Sequence, residues 1–231
     1  MGSRSRLVRP QGSGLRVSSV IAAVAIMLMT ALPVEAATAS PYDTNLVKNP
    51  GAEQGPASSD GQSGVAIPSW EPFGNFSVVA YGTAGGFPTS GEAARIHGQH
   101  QFFTTGAYDT IYGECDTAVQ FITIRGRNSA IDAGHVKVVL SARLGTYAGQ
   151  TDTAHITLSF RDGNNEQLTT PHSGSLALTP VSATNGTFKL EKASKVLPRK
   201  ARVLRVILSA DRTQGYCDAY FDNISVKIVP V

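Results

Sequence analysis

The sequence predicts an all-β protein built as an antiparallel β-sandwich, on the basis of three observations. Apolar and polar residues alternate with a period of two in many short segments, as they do in half-buried strands. Clusters of Gly, Asn, Asp and Pro separate these segments, and no segment keeps a helical period long enough to predict a helix. Many short strands without intervening helices favour an antiparallel sandwich over a βαβ fold.

The alternation places the predicted strands in order along the chain. The clearest is the segment at 135–145, in which Val136, Val138 and Leu140 share one side. Turn sequences such as RGRN and RDGNN separate neighbouring segments. The complete set of predicted strands comprises residues 45–47, 76–81, 101–105, 117–124, 135–145, 154–160, 187–196, 202–210 and 219–229.

The first 36 residues have the features of a secretory signal peptide. Four arginines precede the apolar run VSSVIAAVAIMLMTALPV, and the VEA before Ala37 has Val34 and Ala36 at the small-residue positions of a cleavage site. An uncleaved membrane anchor is the alternative, because the run approaches spanning length. Pro33 and the cleavage site favour cleavage. We therefore expect a secreted, extracellular protein whose mature chain has no membrane span.

The remaining chain is expected to fold as a single unit. No internal repeat or interior linker interrupts it. We predict a signal peptide at 1–36, a short leader at 37–44 and a single β-sandwich domain at 45–231, and we expect that domain to be a monomer.

Charge and motifs exclude several classes of function. Removing the signal peptide takes four of the 20 basic residues and one of the 17 acidic ones, which leaves 16 of each. A near-neutral mature chain gives no basis for general nucleic-acid binding. The sequence contains no G-x-S-x-G, H-E-x-x-H or P-loop motif, and we expect a protein that is not an enzyme.

Two cysteines, Cys115 and Cys217, lie in the exported part of the chain. An even number in an oxidising compartment predicts one disulfide bond, two free thiols being the alternative. A nucleophilic role is disfavoured because Glu114, Asp116 and Asp218 are sequence neighbours, and nearby acidic groups raise the pKa of a thiol.

Two carboxylates at opposite ends of the domain form a candidate metal site. Period-2 alternation puts Asp222 on the same side of the last strand as Ile224 and Val226, so its carboxylate is predicted to point toward the edge of the core. A buried carboxylate needs hydrogen-bond donors or a cation. If the first and last strands pair, Glu53 and Asp222 converge, and an all-oxygen site of this kind suits Ca²⁺. Backbone N–H groups that satisfy both acids are the alternative.

The segments NLVKNPGAEQG and AYFDNISVKI together resemble the two ends of carbohydrate-binding-module-like, galactose-binding-like β-sandwich domains. IPSWEPFGNFSVVAYG is similar to the early tryptophan strand of that family, and the resemblance covers residues 45–229. It implies a jelly-roll sandwich with a structural calcium near the paired termini. Carried over by position, the ligands would be Glu53 and Asp222, with backbone oxygens around Asn49 and Gly51.

Two loops are candidates for binding a carbohydrate. The segment GTYAGQTD offers Tyr147, Gln150 and Asp152, which combine an aromatic ring for stacking with polar groups for hydroxyls. The segment DRTQGYCD adds Arg212, Tyr216 and Asp218. The alternative is that the two acids cap turns and that the tyrosines pack on loops.

Other features favour structural interpretations. Trp70 in IPSWEPF is interpreted as a packing residue rather than a sugar platform. Seven basic residues between Lys189 and Arg205 either meet an anionic polymer or form an exposed strand face with a basic turn, and the second interpretation is preferred.

We therefore predict a secreted, non-catalytic module that binds a polysaccharide or another extracellular polymer. The alternative is an extracellular structural, protein-interaction or adhesion domain on the same sandwich. A small hydrolase would require a cleft with two suitably placed carboxylates.

Overall fold

A computed structural model describes residues 42–106, 115–169, 174–213 and 215–231. The chain divides into two units, Met1–Thr38 and Ala39–Val231, and the described residues all belong to the second. The predicted signal peptide at 1–36 lies outside the described residues. None of the helices in the described ranges is long and apolar enough to cross a membrane.

The described residues form two antiparallel sheets, which confirms the predicted all-β sandwich. One sheet has six strands in the order β1-β4-β10-β6-β7, with β8 also paired to β6, and the other has five in the order β2-β3-β11-β5-β9. Within these residues the elements are β1 (Glu71–Phe73), β2 (Ser77–Ala80), α1 (Ser90–Ile96), β3 (Gln101–Thr104), β4 (Thr117–Thr123), α2 (Asn128–Asp132), β5 (Val136–Thr146), β6 (Thr153–Arg161), β7 (Ser175–Ala177), β8 (Val181–Ser182), β9 (Phe188–Val196), β10 (Val203–Asp211) and β11 (Ala219–Pro230).

The main core lies between the two sheets. The alternation predicted for β5 is confirmed, because every second residue from Val136 to Leu144 is buried. Alternate residues of β6 and β10 pack against them from the opposite sheet. Trp70 belongs to this core as well, edge-on to Phe103 with ring centroids 5.2 Å apart, which confirms its interpretation as a packing residue.

A second, smaller apolar cluster covers part of the outer face of the five-stranded sheet. Its buried members are Val79, Ile96, Phe102, Phe188 and Tyr220. Ile96 comes from α1, so this helix covers one end of the sheet. The helix begins at a capping sequence, T-S-G-E, in which the Thr89 hydroxyl accepts a hydrogen bond from the Glu92 N–H at 3.2 Å.

A β-bulge in β11 changes which face its residues occupy. Asp222 is paired with Arg143 and Ser225 with Ser141, so three steps on β11 oppose two on β5. Asn223, in the left-handed region with φ 50°, is the extra residue. Asp222 therefore lies on the outer face with Tyr220, whereas Ile224 and Val226 lie in the core between the sheets. The predicted orientation of Asp222 toward the core is wrong, because period-2 alternation does not hold across a bulge.

Most predicted strands are confirmed to within two residues at each end. Residues 45–47 are not a regular strand, although the Leu46 N–H donates to the Val226 carbonyl oxygen at 2.8 Å and so holds this segment beside β11. The predicted disulfide between Cys115 and Cys217 is confirmed and joins the segments that precede β4 and β11.

Candidate functional site

A cleft of about 520 Å³ opens where β5 ends and β11 begins. We call it the aromatic cleft, because three aromatic side chains line it together with amides and carboxylates. It includes four residues of the two loops predicted to bind a ligand, Tyr147, Gln150, Tyr216 and Asp218. Its described lining residues are Ser59, Asp60, Gly61, Gln62, Ala84, Gly85, Phe87, Gly106, Tyr147, Gln150, Tyr216 and Asp218.

Tyr216 and Tyr147 present aromatic surface to the aromatic cleft in different ways. Tyr216 is 50% exposed, so its ring is available for stacking. Tyr147 is partly buried, and its N–H donates to the Asp218 carbonyl oxygen at 3.1 Å. A Cβ on Gly86, which has φ 88°, would lie 2.7 Å from the Tyr147 hydroxyl oxygen. The close approach and the positive φ both require glycine there, and Tyr147 is held firmly against the opposite loop.

Asp152 lies beneath the aromatic cleft and holds the loop at 211–218 in place. It is fully buried, and its Oδ1 accepts hydrogen bonds from the Thr213 N–H at 2.7 Å and the Thr213 hydroxyl at 2.9 Å. Its Oδ2 accepts from the Asp218 N–H at 3.0 Å. Hydrogen bonds to an ionised carboxylate are stronger than bonds between neutral groups, so these three bonds stabilise the loop. The structure thus gives Asp152 the loop-capping role that was the alternative to ligand contact.

Arg212 also lies off the cleft wall. Its guanidinium Nη1 donates to the Gly215 carbonyl oxygen at 3.0 Å, so it braces the turn that carries Tyr216. Arg212 and Asp152, both predicted to contact a ligand, therefore shape the loop rather than line the cleft.

Asp218 is an acid of the aromatic cleft whose pKa is raised. Burial, followed by the charge of Asp152, raises the pKa of Asp218 to about 6, although a hydrogen bond from Gln150 acts in the opposite direction. At about pH 6 this carboxyl group is therefore half-protonated, and it can either accept or donate a hydrogen bond.

Two buried polar atoms beside Asp218 lack hydrogen-bond partners within the described residues. They are the Gln150 Oε1 and the Tyr220 hydroxyl. Burial raises the pKa of Tyr220, and the charge of Asp218 raises it further, so the phenol is neutral and lies near that carboxylate. Unpaired buried polar groups are costly and rare in folded proteins. Of the two residues only Gln150 lines the cleft, where a ligand with hydroxyl groups would supply a partner, whereas Tyr220 is not among the described lining residues.

Asp60 is a residue of the aromatic cleft that was not predicted. Its Oδ1 accepts from the Ser58 hydroxyl and from the N–H groups of Gln62 and Ser63. Hydrogen bonds from Gln62, Ser58 and Ser63 lower the pKa of Asp60 to about 2. The turn sequence SSDGQS signals this arrangement, but nothing in the sequence indicates that it meets the loops at 147–152 and 211–218.

The Glu53–Asp222 site forms where the NPGAEQG turn meets β11 and the segment after α1. Glu53 Oε1 accepts from the His100 and Gln101 N–H groups, each at 3.0 Å. Asp222 is fully buried and accepts from the Tyr81 hydroxyl at 2.5 Å and the Asn223 N–H at 2.6 Å. The two acids interact electrostatically, so the predicted convergence of the two ends of the domain is present.

Backbone approaches the Asp222 carboxylate closely from two sides. A Cβ on Gly51 would lie 2.9 Å from Oδ1, and a Cβ on Gly98 would lie 2.5 Å from Oδ2. Burial raises the pKa of Asp222 to about 7, against the hydrogen bonds from Tyr81 and Asn223. The carboxylate is thus enclosed by backbone and by one phenol. Within the described residues no Lys or Arg side chain hydrogen-bonds to it, although the charge of Arg143, which is opposite Asp222 on β5, acts to lower its pKa.

Asn49 has a structural role in the same turn. Its Oδ1 accepts from the Gln54 N–H at 3.0 Å, and its carbonyl oxygen accepts from the Trp70 indole N–H at 3.1 Å. In the described part of the chain no three His, Cys, Asp or Glu side chains are grouped as in a metal site. A cation at the Glu53–Asp222 site would therefore need backbone carbonyls or water to complete its coordination.

Comparisons with known proteins agree with the fold. The chain resembles the Stig cyclase Fisc from Fischerella sp., solved in complex with (3Z)-3-(1-methyl-2-pyrrolidinylidene)-3H-indole, at 14% identity and a TM-score of 0.53, over 81% of this chain and 98% of that one. It also resembles TmCBM61, solved with β-1,4-galactotriose, at 11% identity and a TM-score of 0.47, over 81% and 99%.

A third match is a longer protein, the enzymatically active domain of bacteriophage CBA120 tailspike protein 4. The identity is 15% and the TM-score 0.49, over 80% of this chain, which spans 21% of the length of the tailspike chain. No protein-family model and no curated protein matches the sequence. The chain is a β-sandwich protein, as the sequence predicted, and carbohydrate-binding modules are among the solved structures that it resembles.

Proposed function

We propose that this protein is a secreted, non-catalytic module that binds a neutral oligosaccharide or polysaccharide in the aromatic cleft. The observation that carries the proposal is the exposed Tyr216 ring in one cleft with Asp218 and Gln150, whose buried Oε1 lacks a hydrogen-bond partner among the described residues. A pyranose offers both an apolar CH face for the ring and hydroxyls for the polar atoms.

The charge of the aromatic cleft favours a neutral ligand. Its described lining residues include two acids, Asp60 and Asp218, and no Lys, Arg or His. An acidic sugar would be repelled, and the carboxylates accept hydrogen bonds from neutral hydroxyls.

Titration calorimetry with neutral oligosaccharides tests the proposal. Tyr216→Ala should weaken binding about tenfold, the value of one aromatic stacking contact. Phe73→Ala is the matched control, because Phe73 is 53% exposed on β1, in the other sheet. Binding that is unaffected by Tyr216→Ala and by Gln150→Ala, or no binding of any neutral glycan, would contradict the proposal.

We also propose that the Glu53–Asp222 site holds a structural Ca²⁺. Two carboxylates, one of them fully buried and with no hydrogen bond to a Lys or Arg side chain among the described residues, supply hard oxygen ligands of the kind Ca²⁺ prefers. The glycines at 51 and 98 leave room beside the Asp222 oxygens that a side chain would fill. Bound Ca²⁺ would neutralise the two acids and join the NPGAEQG turn to β11.

Thermal unfolding tests the calcium proposal. Saturating Ca²⁺ should raise the Tm by several degrees relative to excess chelator, because binding at about 100 Kd adds about 2.7 kcal/mol. Glu53→Gln and Gly98→Ala should each remove the Ca²⁺-dependent part of the shift, whereas Glu71→Gln, a change of the same type at an exposed strand position, should keep it. Equal Tm values for the wild type with Ca²⁺ and with chelator would exclude the site.

A second candidate function is glycoside hydrolysis, which the opposite pKa shifts of Asp218 and Asp60 favour. The pKa of Asp218 is raised to about 6 and that of Asp60 is lowered to about 2, and both residues line one cleft. Two carboxyl groups with divergent pKa values are the pattern of an acid and a base. Hydrolysis would be established if the protein released new reducing ends from an oligosaccharide and if Asp218→Asn and Asp60→Asn each abolished that release. Binding without release would support the non-catalytic function.

A further inference from the structure

A groove of about 730 Å³ lies on the outer face of the five-stranded sheet, farther along β11 than the aromatic cleft. We call it the lysine groove. Its walls come from β5, β9 and β11, with one contribution from the segment before the first strand. The residues that line it are Asp43, Lys137, Val139, Ser141, Lys192, Ala193, Ser194, Ser225, Lys227 and Val229.

Strand register fixes the three lysines of the groove on different strands. Lys192 lies in the row of Ser141 and Ser225, Lys227 in the next row opposite Val139, and Lys137 in the row after that, opposite Val229. With strands about 4.8 Å apart and alternate residues about 6.8 Å apart, the Cα atoms of Lys137 and Lys227 are separated by about 8 Å. The cations are therefore spread along the groove rather than gathered at one point.

Two of the three lysines have no partner within the described residues. Lys227 pairs with Asp43, with an Nζ to Oδ1 distance of 3.1 Å, and both side chains are exposed. The side chains of Lys137 and Lys192 make no hydrogen bond or ion pair in that part of the chain. Asp43 is the only acid among the described lining residues, so the groove carries a net positive charge.

The seven basic residues between Lys189 and Arg205, considered in the sequence as a single patch, are divided by the fold. Lys195 lies over the Phe160 ring at 5.9 Å, and Arg202 forms an ion pair with Asp132 at 2.6 Å. Arg205 lies over Phe121 on the other sheet. Only Lys192 of this set enters the lysine groove, where Lys137 and Lys227 join it from distant positions in the sequence.

We propose that the lysine groove binds an acidic polysaccharide through carboxylates that recur along its chain. Spaced ammonium groups match repeated negative charges, while the hydroxyls of Ser141, Ser194 and Ser225 can bond to sugar hydroxyls. The described lining residues include no aromatic side chain on which a nucleic-acid base would stack. This site is separate from the aromatic cleft and does not depend on the function proposed for it.

Binding of an oligogalacturonate of about six units, measured by titration calorimetry, tests the proposal. The double variant Lys137→Gln, Lys192→Gln should bind it at least tenfold more weakly than the wild type. The matched control, Lys48→Gln with Lys189→Gln, makes the same change in net charge at exposed positions outside the groove and should stay within twofold. Added salt should weaken wild-type binding, since the contacts are ionic.

Four results would overturn the proposal. The first is that the wild type does not bind oligogalacturonate, and the second is that both double variants weaken its binding equally. The third is that single-stranded DNA of equal charge binds more tightly than oligogalacturonate and loses affinity in Lys137→Gln, Lys192→Gln. The fourth is that Tyr216→Ala abolishes oligogalacturonate binding. The last would place the acidic ligand in the aromatic cleft. Failure of neutral glycans to bind would count against the proposed function alone, because the lysine groove is measured with a different probe and different variants.

Discussion

The aromatic cleft and the lysine groove lie on the same sheet but are built in different ways. The cleft depends on loops, which the buried Asp152 carboxylate and the Cys115–Cys217 disulfide hold in position. The lysine groove depends on strand register alone, because its lysines project from β5, β9 and β11. The cleft presents acids and aromatic rings, whereas the groove presents lysines and serines.

Because loops form one site and strands the other, the two sites should respond to different perturbations. Changes that loosen the loops should reduce binding in the aromatic cleft and leave the lysine groove intact. The bulge at Asn223 lies between them along the chain, since Asp218 of the cleft comes just before β11 begins and the β11 residues of the groove come after the bulge.

The largest effect is expected from removal of the disulfide. The double variant Cys115→Ser, Cys217→Ser opens a loop of 102 residues and should lower the free energy of unfolding by about 2–5 kcal/mol in urea denaturation. Neutral-glycan affinity should fall because Cys217 directly precedes Asp218, and oligogalacturonate affinity should stay within twofold of the wild type. Equal losses at both sites would show that they are not independent.

A smaller loss is expected from Asp152→Asn. The amide keeps one acceptor for Thr213 but turns an NH₂ group toward the Asp218 N–H, so a buried bond is lost and stability should fall by about 2 kcal/mol. The control is Asp162→Asn, whose carboxylate accepts from the Asn164 and Glu166 N–H groups in a surface turn and should cost less. If Asp162→Asn weakened neutral-glycan binding more than Asp152→Asn did, the proposed role of Asp152 in holding the loop at 211–218 would be contradicted.

The smallest effect is a change in pH dependence. Because the pKa of Asp218 is raised to about 6 in the folded state, the folded protein retains a proton that the unfolded chain releases above about pH 4. The stability contribution of Asp218 therefore declines as pH rises from about 4 to 6 and is constant above that range. Asp218→Asn should make the decline in the free energy of unfolding, measured by urea denaturation at several pH values, shallower, while the decline due to Asp222, whose pKa is raised to about 7, remains. An unchanged pH dependence would show that Asp218 is not buried as described.

The strands and the disulfide could be predicted because their causes are local or compositional. Alternation of apolar residues identified β5 and β6, and an even cysteine count in a chain with a predicted signal peptide indicated the bond. The helix α1 was missed although its T-S-G-E capping sequence is a local signal, since seven residues are too few for a visible helical period.

The candidate sites were predictable only in part. Tyr147, Gln150 and Asp218 were found from residue type within single loops, and the meeting of Glu53 with Asp222 was found from the two ends of the domain. Asp60 and Phe87 were not found, because they come from separate loops that only the folded chain brings together. The buried role of Asp152 was left as an alternative, since a sequence does not show which acid in a loop faces inward.

The sequence by itself determined the class of fold, since period-2 alternation and turn residues act over a few neighbours. The tertiary structure decided which polar residues share a surface. One extra residue at Asn223 moved Asp222 to the outer face of the sheet, and pairing of β5 with β9 and β11 brought Lys137, Lys192 and Lys227 together. Both outcomes depend on register between strands distant in sequence, which local patterns do not encode.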